Sequence, residues 1–146
     1  MMTSQRVTLI TLGVDDLERA KVFYGAMGWT PTREMEGQVV FYQINGMALG
    51  FFSKEGLAKE QHRPLAELGT GAVTLAQNMT SREEVNATFA RAIAAGATPL
   101  APPAPMAWGG YSSYYADPDG HVWETAHNPF WELNPDGSLT LPAEDP

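Results

Sequence analysis

The chain contains no cysteine. Disulfide staples, thiolate metal centres and cysteine nucleophiles are therefore excluded from the outset. Basic residues are scarce: nine Lys and Arg stand against seventeen Asp and Glu, for a net charge of −8. Nucleic-acid binding needs a basic surface to displace the counterions of the phosphate backbone, so that class of partner is not expected. No apolar run approaches the roughly 18 residues that cross a bilayer, and Met1-Met2-Thr3-Ser4-Gln5-Arg6 lacks the apolar core of a secretory leader. No membrane partner is expected, and the predicted location is cytoplasmic. With 146 residues, 44% of them hydrophobic and 18% charged, the chain suffices for one domain with a proper core.

What the sequence does contain is a repeat. Val7-Thr8-Leu9 recurs 66 residues on as Val73-Thr74-Leu75, and the same offset carries Glu18 to Glu84, Phe23 to Phe89 and Ala26 to Ala92. Each copy opens on a β-type run and then meets a helix start signal. In the first, Asp15 is the expected N-cap with Glu18 three residues on; in the second, Ser81 and Glu84 have capping-box spacing. Leu17, Ala20, Phe23, Tyr24 and Met27 form one apolar helical stripe, and Val85, Phe89, Ala92 and Ile93 another. Gly28 and Gly96 stand where a left-handed residue ends a helix.

Extended segments follow each helix. Gln38 to Ile44 and Met47 to Phe52 flank Asn45-Gly46, which predicts a type I′ hairpin. Tyr111 to Ala116 and His121 to Ala126 flank the longer turn Asp117-Pro118-Asp119-Gly120. Each half thus reads β-α-β-β-β. Ser53 to Leu68 is a polar connector with a short helix. Ala101-Pro102-Pro103-Ala104-Pro105 cannot be a central strand, because proline lacks the ladder donor; it is expected to be a stiff loop leading into Trp108-Gly109-Gly110. After Ala126-His127 the segment from Asn128 to Pro146 is expected to hold a turn at Asn134-Pro135-Asp136-Gly137 and a short strand from Ser138 to Leu141. Glu144 and Asp145 read as a solvated end.

Two stretches carry a family resemblance. Leu9-Ile10-Thr11-Leu12-Gly13-Val14-Asp15-Asp16-Leu17-Glu18-Arg19-Ala20, with Phe23-Tyr24 and Gly28-Trp29, looks like the opening of vicinal-oxygen-chelate proteins, the superfamily of glyoxalase I, ring-cleaving dioxygenases and bleomycin-resistance proteins. Tyr115-Ala116-Asp117-Pro118-Asp119-Gly120-His121-Val122-Trp123-Glu124 resembles that superfamily's final hairpin. Order and spacing around a duplicated unit make the likeness specific, and it covers roughly residues 6 to 127. It implies an α+β fold in which two tandem βαβββ modules form a curved, incomplete barrel around a cavity. The expected organisation is one domain over residues 1–146: module one at about 6–53, a connector at 54–69, module two at about 70–127 and a tail at 128–146.

In metal-dependent members of the superfamily the cavity holds a divalent ion, bound by His, Gln or Glu from the first and last strand of each module. Carried over position by position, the first ligand falls on Leu9, which has no donor atom. Its second-module counterpart falls among Ala72, Val73, Thr74, Leu75 and Ala76, none a usual ligand, with Gln77 and Asn78 beyond that register. The last-strand position falls on Glu124, and its first-module counterpart on Gly50. His121 and His127 have the opposite strand parity to Glu124, and His62 lies in the connector. A catalytic metal needs about three protein ligands, so no metal or other cofactor is expected, and Leu9 is expected to be buried.

Glu124 is then either a general base or ligand anchor facing the cavity, or a remnant carboxylate satisfied by a neighbouring tyrosine or amide. Val122 and Ala126 should share its face, with Trp123 and Thr125 on the other. Aromatic residues crowd the surrounding strands. The expected ligand-binding set is Trp108, Tyr111, Tyr115, Phe41 and Phe51 together with Glu124. Tyr111 and Tyr115 share one face of their strand, Ser112 and Tyr114 the other, and strand parity alone leaves open which looks inward. The missing ligand set and the acidic balance favour a metal-free protein that binds a small molecule in an aromatic cavity, like the bleomycin-binding branch, and the resemblance implies a homodimer. The alternative is a glyoxalase- or dioxygenase-type enzyme working through Glu124, with or without a divalent ion.

Overall fold

A computed structural model describes residues 5–143, so Glu144 and Asp145 lie outside the described residues. The chain divides between Gly69 and Thr70 into two compact units, each an α+β module with one four-stranded mixed sheet. Among the described residues no helix is long and apolar enough to cross a membrane.

The first module runs β1 (Leu9–Val14), α1 (Leu17–Ala26), β2 (Arg33–Met35), β3 (Val39–Ile44), β4 (Met47–Ser53) and α2 (Lys54–Gln61). Its strand order is β1-β4-β3-β2, with β1 parallel to β4 and the other pairs antiparallel. A parallel pair needs a crossover, and α1 begins it. The cap of α1 is Asp16, which accepts from the Arg19 amide at 3.1 Å; the expected cap, Asp15, instead pairs with Lys54 at 3.4 Å. Beyond the helix, Gly28 at φ 94 is left-handed, with Gly28 N–H donating to Gly25 and Trp29 N–H to Tyr24, a Schellman ending.

Phe23 and Tyr24 of α1 are buried against one face of the sheet. The Tyr24 ring stacks on Phe51 at 4.5 Å and the edge of Tyr42 meets Phe51 at 5.8 Å. Each such side chain, fully removed from water, contributes about 1.5–3 kcal/mol, which is why the stripe read from the sequence becomes the packed face of the helix. At the Asn45-Gly46 turn only Gly46 has positive φ, at 73. A type I′ turn needs two such residues, so the expected type is not the one formed. The Gln43 side-chain amide ties the turn instead, donating to the carbonyls of Ile44 and Met47 at 2.8 and 3.0 Å.

The second module runs β5 (Thr74–Asn78), α3 (Arg82–Ala94), β6 (Thr98–Pro105), β7 (Tyr111–Ala116) and β8 (Val122–His127), in the order β5-β8-β7-β6. Ser81 caps α3, accepting from the Glu84 amide at 3.2 Å, while the Glu84 carboxylate reaches the backbone and hydroxyl of Thr80. The ending repeats that of α1: Gly96 sits at φ 111 and the Ala97 N–H donates to Ala92. The proline-rich segment is a correction to the sequence reading. It is a strand, β6, not a loop, and its bulges between Pro99, Ala101 and Ala104 let it pair with β7 despite the missing donors. Its place at the sheet edge is where proline is tolerated. After β8, Leu133 and Leu139 form one isolated bridge across the Asn134 turn; Ser138 to Leu141 is not a longer strand.

Candidate functional site

The surface of interest is built on β8. Its residues alternate, and pairing fixes which neighbours share each face. Glu124 lies opposite Ala76 of β5 and Tyr114 of β7, and Ala126 opposite Asn78 and Ser112. These side chains form one face. Trp123 lies opposite Leu75 and Tyr115, and His127 opposite Tyr111. This second face packs on α3, as shown by the Tyr111 hydroxyl donating to Asn86 of that helix at 2.7 Å and by the Arg82 guanidinium lying 4.9 Å from the Tyr111 ring centre. Tyr115 and Trp123 are buried there.

On the Glu124 face the sheet floors a hollow of about 650 Å³. Ala76, Asn78, Glu124 and Ala126 line its base, and Asn128, Trp108, Phe130 and Trp131 its sides. Alanines at two floor positions leave the space open. The walls come from two segments that glycine brings close. After β6 the chain turns, with Gly109 N–H donating to Met106 and Met106 N–H to Gly110. The Trp108 indole lies over Gly110 so closely that any β-carbon there would collide with it. A β-carbon on Gly109, which sits at φ 102, would come within 2.9 Å of the Phe130 ring. Beyond β8, Asn128 folds the chain back, its side-chain oxygen accepting from Phe130 N–H at 2.9 Å and its carbonyl from Trp131 N–H at 3.2 Å.

Of the residues expected at the site, Glu124 and Trp108 meet in this hollow. Tyr111 and Tyr115 do not: the β7–β8 register puts them with Trp123 on the α3 side and gives Tyr114 to the Glu124 face. Phe41 and Phe51 belong to the first module. Phe51 faces α1, stacked on Tyr24. Phe41 lies opposite Gly50, the first-module counterpart of Glu124, and its ring would meet a β-carbon on Gly50 at 3.1 Å. The Glu124–Tyr114 pair of module two is thus replaced in module one by Gly50–Phe41, and a ring fills the corresponding space. Leu9, expected to be buried, is 42% exposed.

Asn128, Phe130 and Trp131 were missed because they follow the last strand, in a segment read as tail. The available signal was two adjacent large aromatics directly after an Asn-Pro turn. Asn78 was recognised only as lying outside the assumed register. In the pairing, Leu9 opposite Ala48 corresponds to Thr74 opposite Val122, which makes Thr74 the second-module counterpart of Leu9.

The electrostatics centre on one carboxylate. Tyr114 lies opposite Glu124 across the β7–β8 pair; partial burial, followed by the Glu124 charge and its hydrogen bonding to the hydroxyl, pushes the phenol pKa up. Tyr114 therefore remains a donor across the neutral range. The histidines are engaged elsewhere. His127 Nδ1 lies 3.0 Å from the Met79 carbonyl. His121 closes the hairpin turn, its N–H donating to the Asp117 carboxylate at 2.9 Å, as does that of Asp119. Among the described residues no three of His, Cys, Asp and Glu are grouped to hold a metal ion. The hollow's donors, one carboxylate and the amides of Asn78 and Asn128, do not fit a divalent catalytic ion, which takes about three protein ligands drawn mainly from imidazole and carboxylate.

Comparison with known proteins agrees with this architecture. The family model described as Glyoxalase/Bleomycin resistance protein/Dioxygenase superfamily matches residues 6–125. A glyoxalase-related enzyme from Fulvimarina pelagi is similar at 38% identity over 96% of this chain and 100% of its own, with a TM-score of 0.90. A lactoylglutathione lyase from Agrobacterium tumefaciens shares the fold at 22% identity over 90% of this chain and 100% of its own, TM-score 0.70. So does a glyoxalase/bleomycin resistance protein/dioxygenase family enzyme from Burkholderia phytofirmans PsJN, at 19% identity over 82% of this chain and 96% of its own, TM-score 0.73. No curated protein matches the sequence.

Proposed function

The chain belongs to the Glyoxalase/Bleomycin resistance protein/Dioxygenase superfamily, and on that premise we propose that it binds a small molecule in the hollow of its second module without a resident metal. One observation carries the reading: the face of β8 that holds Glu124 is ringed by Trp108, Phe130 and Trp131 and floored by alanine. Ligand sites are concave and mostly apolar, with a few polar groups that fix orientation. Glu124 is that group here, steadied by Tyr114, and the neighbouring amides of Asn78 and Asn128 offer both donors and acceptors. The donor set argues against a divalent ion. Metal analysis of purified protein after dialysis is expected to give well below one ion per chain; a stoichiometric ion that survives would sink the metal-free reading.

The similarity to a glyoxalase-related enzyme over the whole chain favours a second reading, a lyase, isomerase or oxygenase acting through Glu124. In that case Glu124 takes a proton from the guest while Tyr114 holds the carboxylate in place. A substrate turned over by the protein and not by Glu124→Gln would establish it. The proposed setting is cytoplasmic, and the proposed assembly a homodimer. Each four-stranded sheet has edge strands whose outer groups need partners or cover. Light scattering at micromolar concentration is expected to give twice the 15.9 kDa of one chain; the single-chain mass would count against the dimer.

A further inference from the structure

We propose that the guest is an organic cation, a quaternary ammonium or protonated amine carried on an apolar body. The inference rests on the small-molecule reading above and narrows it to one ligand class. Three aromatic side chains, Trp108, Phe130 and Trp131, surround a hollow whose lining contains a single carboxyl side chain, Glu124, and no Lys, Arg or His. Aromatic faces carry negative quadrupole density and attract cations, Trp most strongly. Their arrangement around a carboxylate complements a positive charge embedded in hydrocarbon. An anion entering the hollow would meet a like charge and no countercharge. A neutral apolar guest would strip water from Glu124 and give nothing back, leaving a carboxylate desolvated with only the Tyr114 hydroxyl against it.

Two further features agree. Trp108 and Phe130 are 46% and 45% exposed, where structural aromatics would be covered. Each ring is set by a glycine beneath it, Gly110 and Gly109, so the walls are held in place by backbone contact. The net charge of −8 adds long-range attraction for a cation and repulsion for an anion. In module one the equivalent positions are Gly50 and Phe41, with neither the charge nor the space, so the selectivity belongs to the second module alone.

The test uses the full chain and two probes of the same shape. Benzyl(2-hydroxyethyl)dimethylammonium is the cation; 3,3-dimethyl-4-phenylbutan-1-ol, with carbon in place of nitrogen, is its neutral isostere. Binding is read by tryptophan fluorescence and by ligand-observed NMR, with circular dichroism checking that each variant is folded. The cation is expected to saturate and to bind at least about tenfold more tightly than the isostere. Glu124→Gln is expected to remove most of that difference, weakening the cation and relieving the desolvation cost that the carboxylate imposes on the isostere, and Trp108→Ala to weaken both probes. Equal affinity for the two probes would overturn the cation assignment and leave the small-molecule reading standing. Saturable cation binding unaffected by Glu124→Gln and by Trp108→Ala would overturn it too, by placing the cation elsewhere. Binding of neither probe would overturn the cation assignment; if a screen of neutral and anionic compounds also failed to quench Trp108, the small-molecule reading would fall with it.

Discussion

Consecutive residues of β8 have opposite tasks. Trp123 is buried on the α3 side, while Glu124, one residue on, is only partly covered on the hollow side. Trp123→Ala is expected to cost about 3–5 kcal/mol, seen as a lower urea midpoint with the hollow chemically intact. Glu124→Gln keeps shape and most hydrogen bonding, so its melting curve should stay close to that of the parent. Parity within this strand was legible: Val122, Glu124 and Ala126 were expected on one face and found there. Parity between strands was not. Whether Tyr111 and Tyr115 or Ser112 and Tyr114 face the hollow depends on the β7–β8 register, which the chain sets through a turn closed by Asp117. A shift of one residue would exchange the faces.

Tyr115 gives that buried face a pH signature. Its burial, aided by the nearby Asp117 charge, pushes the phenol up to about 12 from an ordinary 10.0. A tyrosine whose pKa is higher folded than unfolded contributes stability that is complete below the unfolded value and lost as pH rises through the folded one. Stability should therefore decline between pH 10 and about 12, by on the order of 2–3 kcal/mol from this group. Denaturant midpoints measured across that window, with phenolate absorbance recorded alongside, check it; Tyr115→Phe should flatten this part of the curve.

At the scale of elements, the helices and hairpins were legible because each has a local cause. Caps, apolar stripes and closing glycines appear in sequence order, and the misplaced cap at Asp15 was wrong by one position because two aspartates adjoin. The segments that wall the hollow have no such periodicity. The turn from Met106 to Gly110 and the stretch from Asn128 to Trp131 are shaped by single close contacts, which no pattern announces. Gly110→Ala tests one of them. Its new methyl must displace the Trp108 indole, so tryptophan emission should shift and ligand affinity fall roughly tenfold or more, while the thermal midpoint changes little because Trp108 is half exposed.

At the scale of the molecule, the duplication carried most of the information, since two copies of one pattern constrain each other. The copies have diverged where chemistry would reside. One keeps Glu124 with Tyr114, the other has Gly50 with Phe41, so one module carries a carboxylate beside a hollow where the other is filled by a ring. The sheets have also been finished differently at their outer margins. In module one the outer strand β2 is three residues long. In module two β6 is eight residues long, exposes Leu100 and carries four prolines. A strand of that length with apolar exposure is the usual seed for intermolecular stacking and fibril growth, and proline removes the amide hydrogens on which such growth depends. The prolines that make β6 hard to recognise as a strand therefore also keep this edge from seeding open-ended stacking of molecules. Replacing Pro102 and Pro103 with threonine should leave the monomer's fold in place and shorten the lag before turbidity and thioflavin fluorescence rise at high concentration.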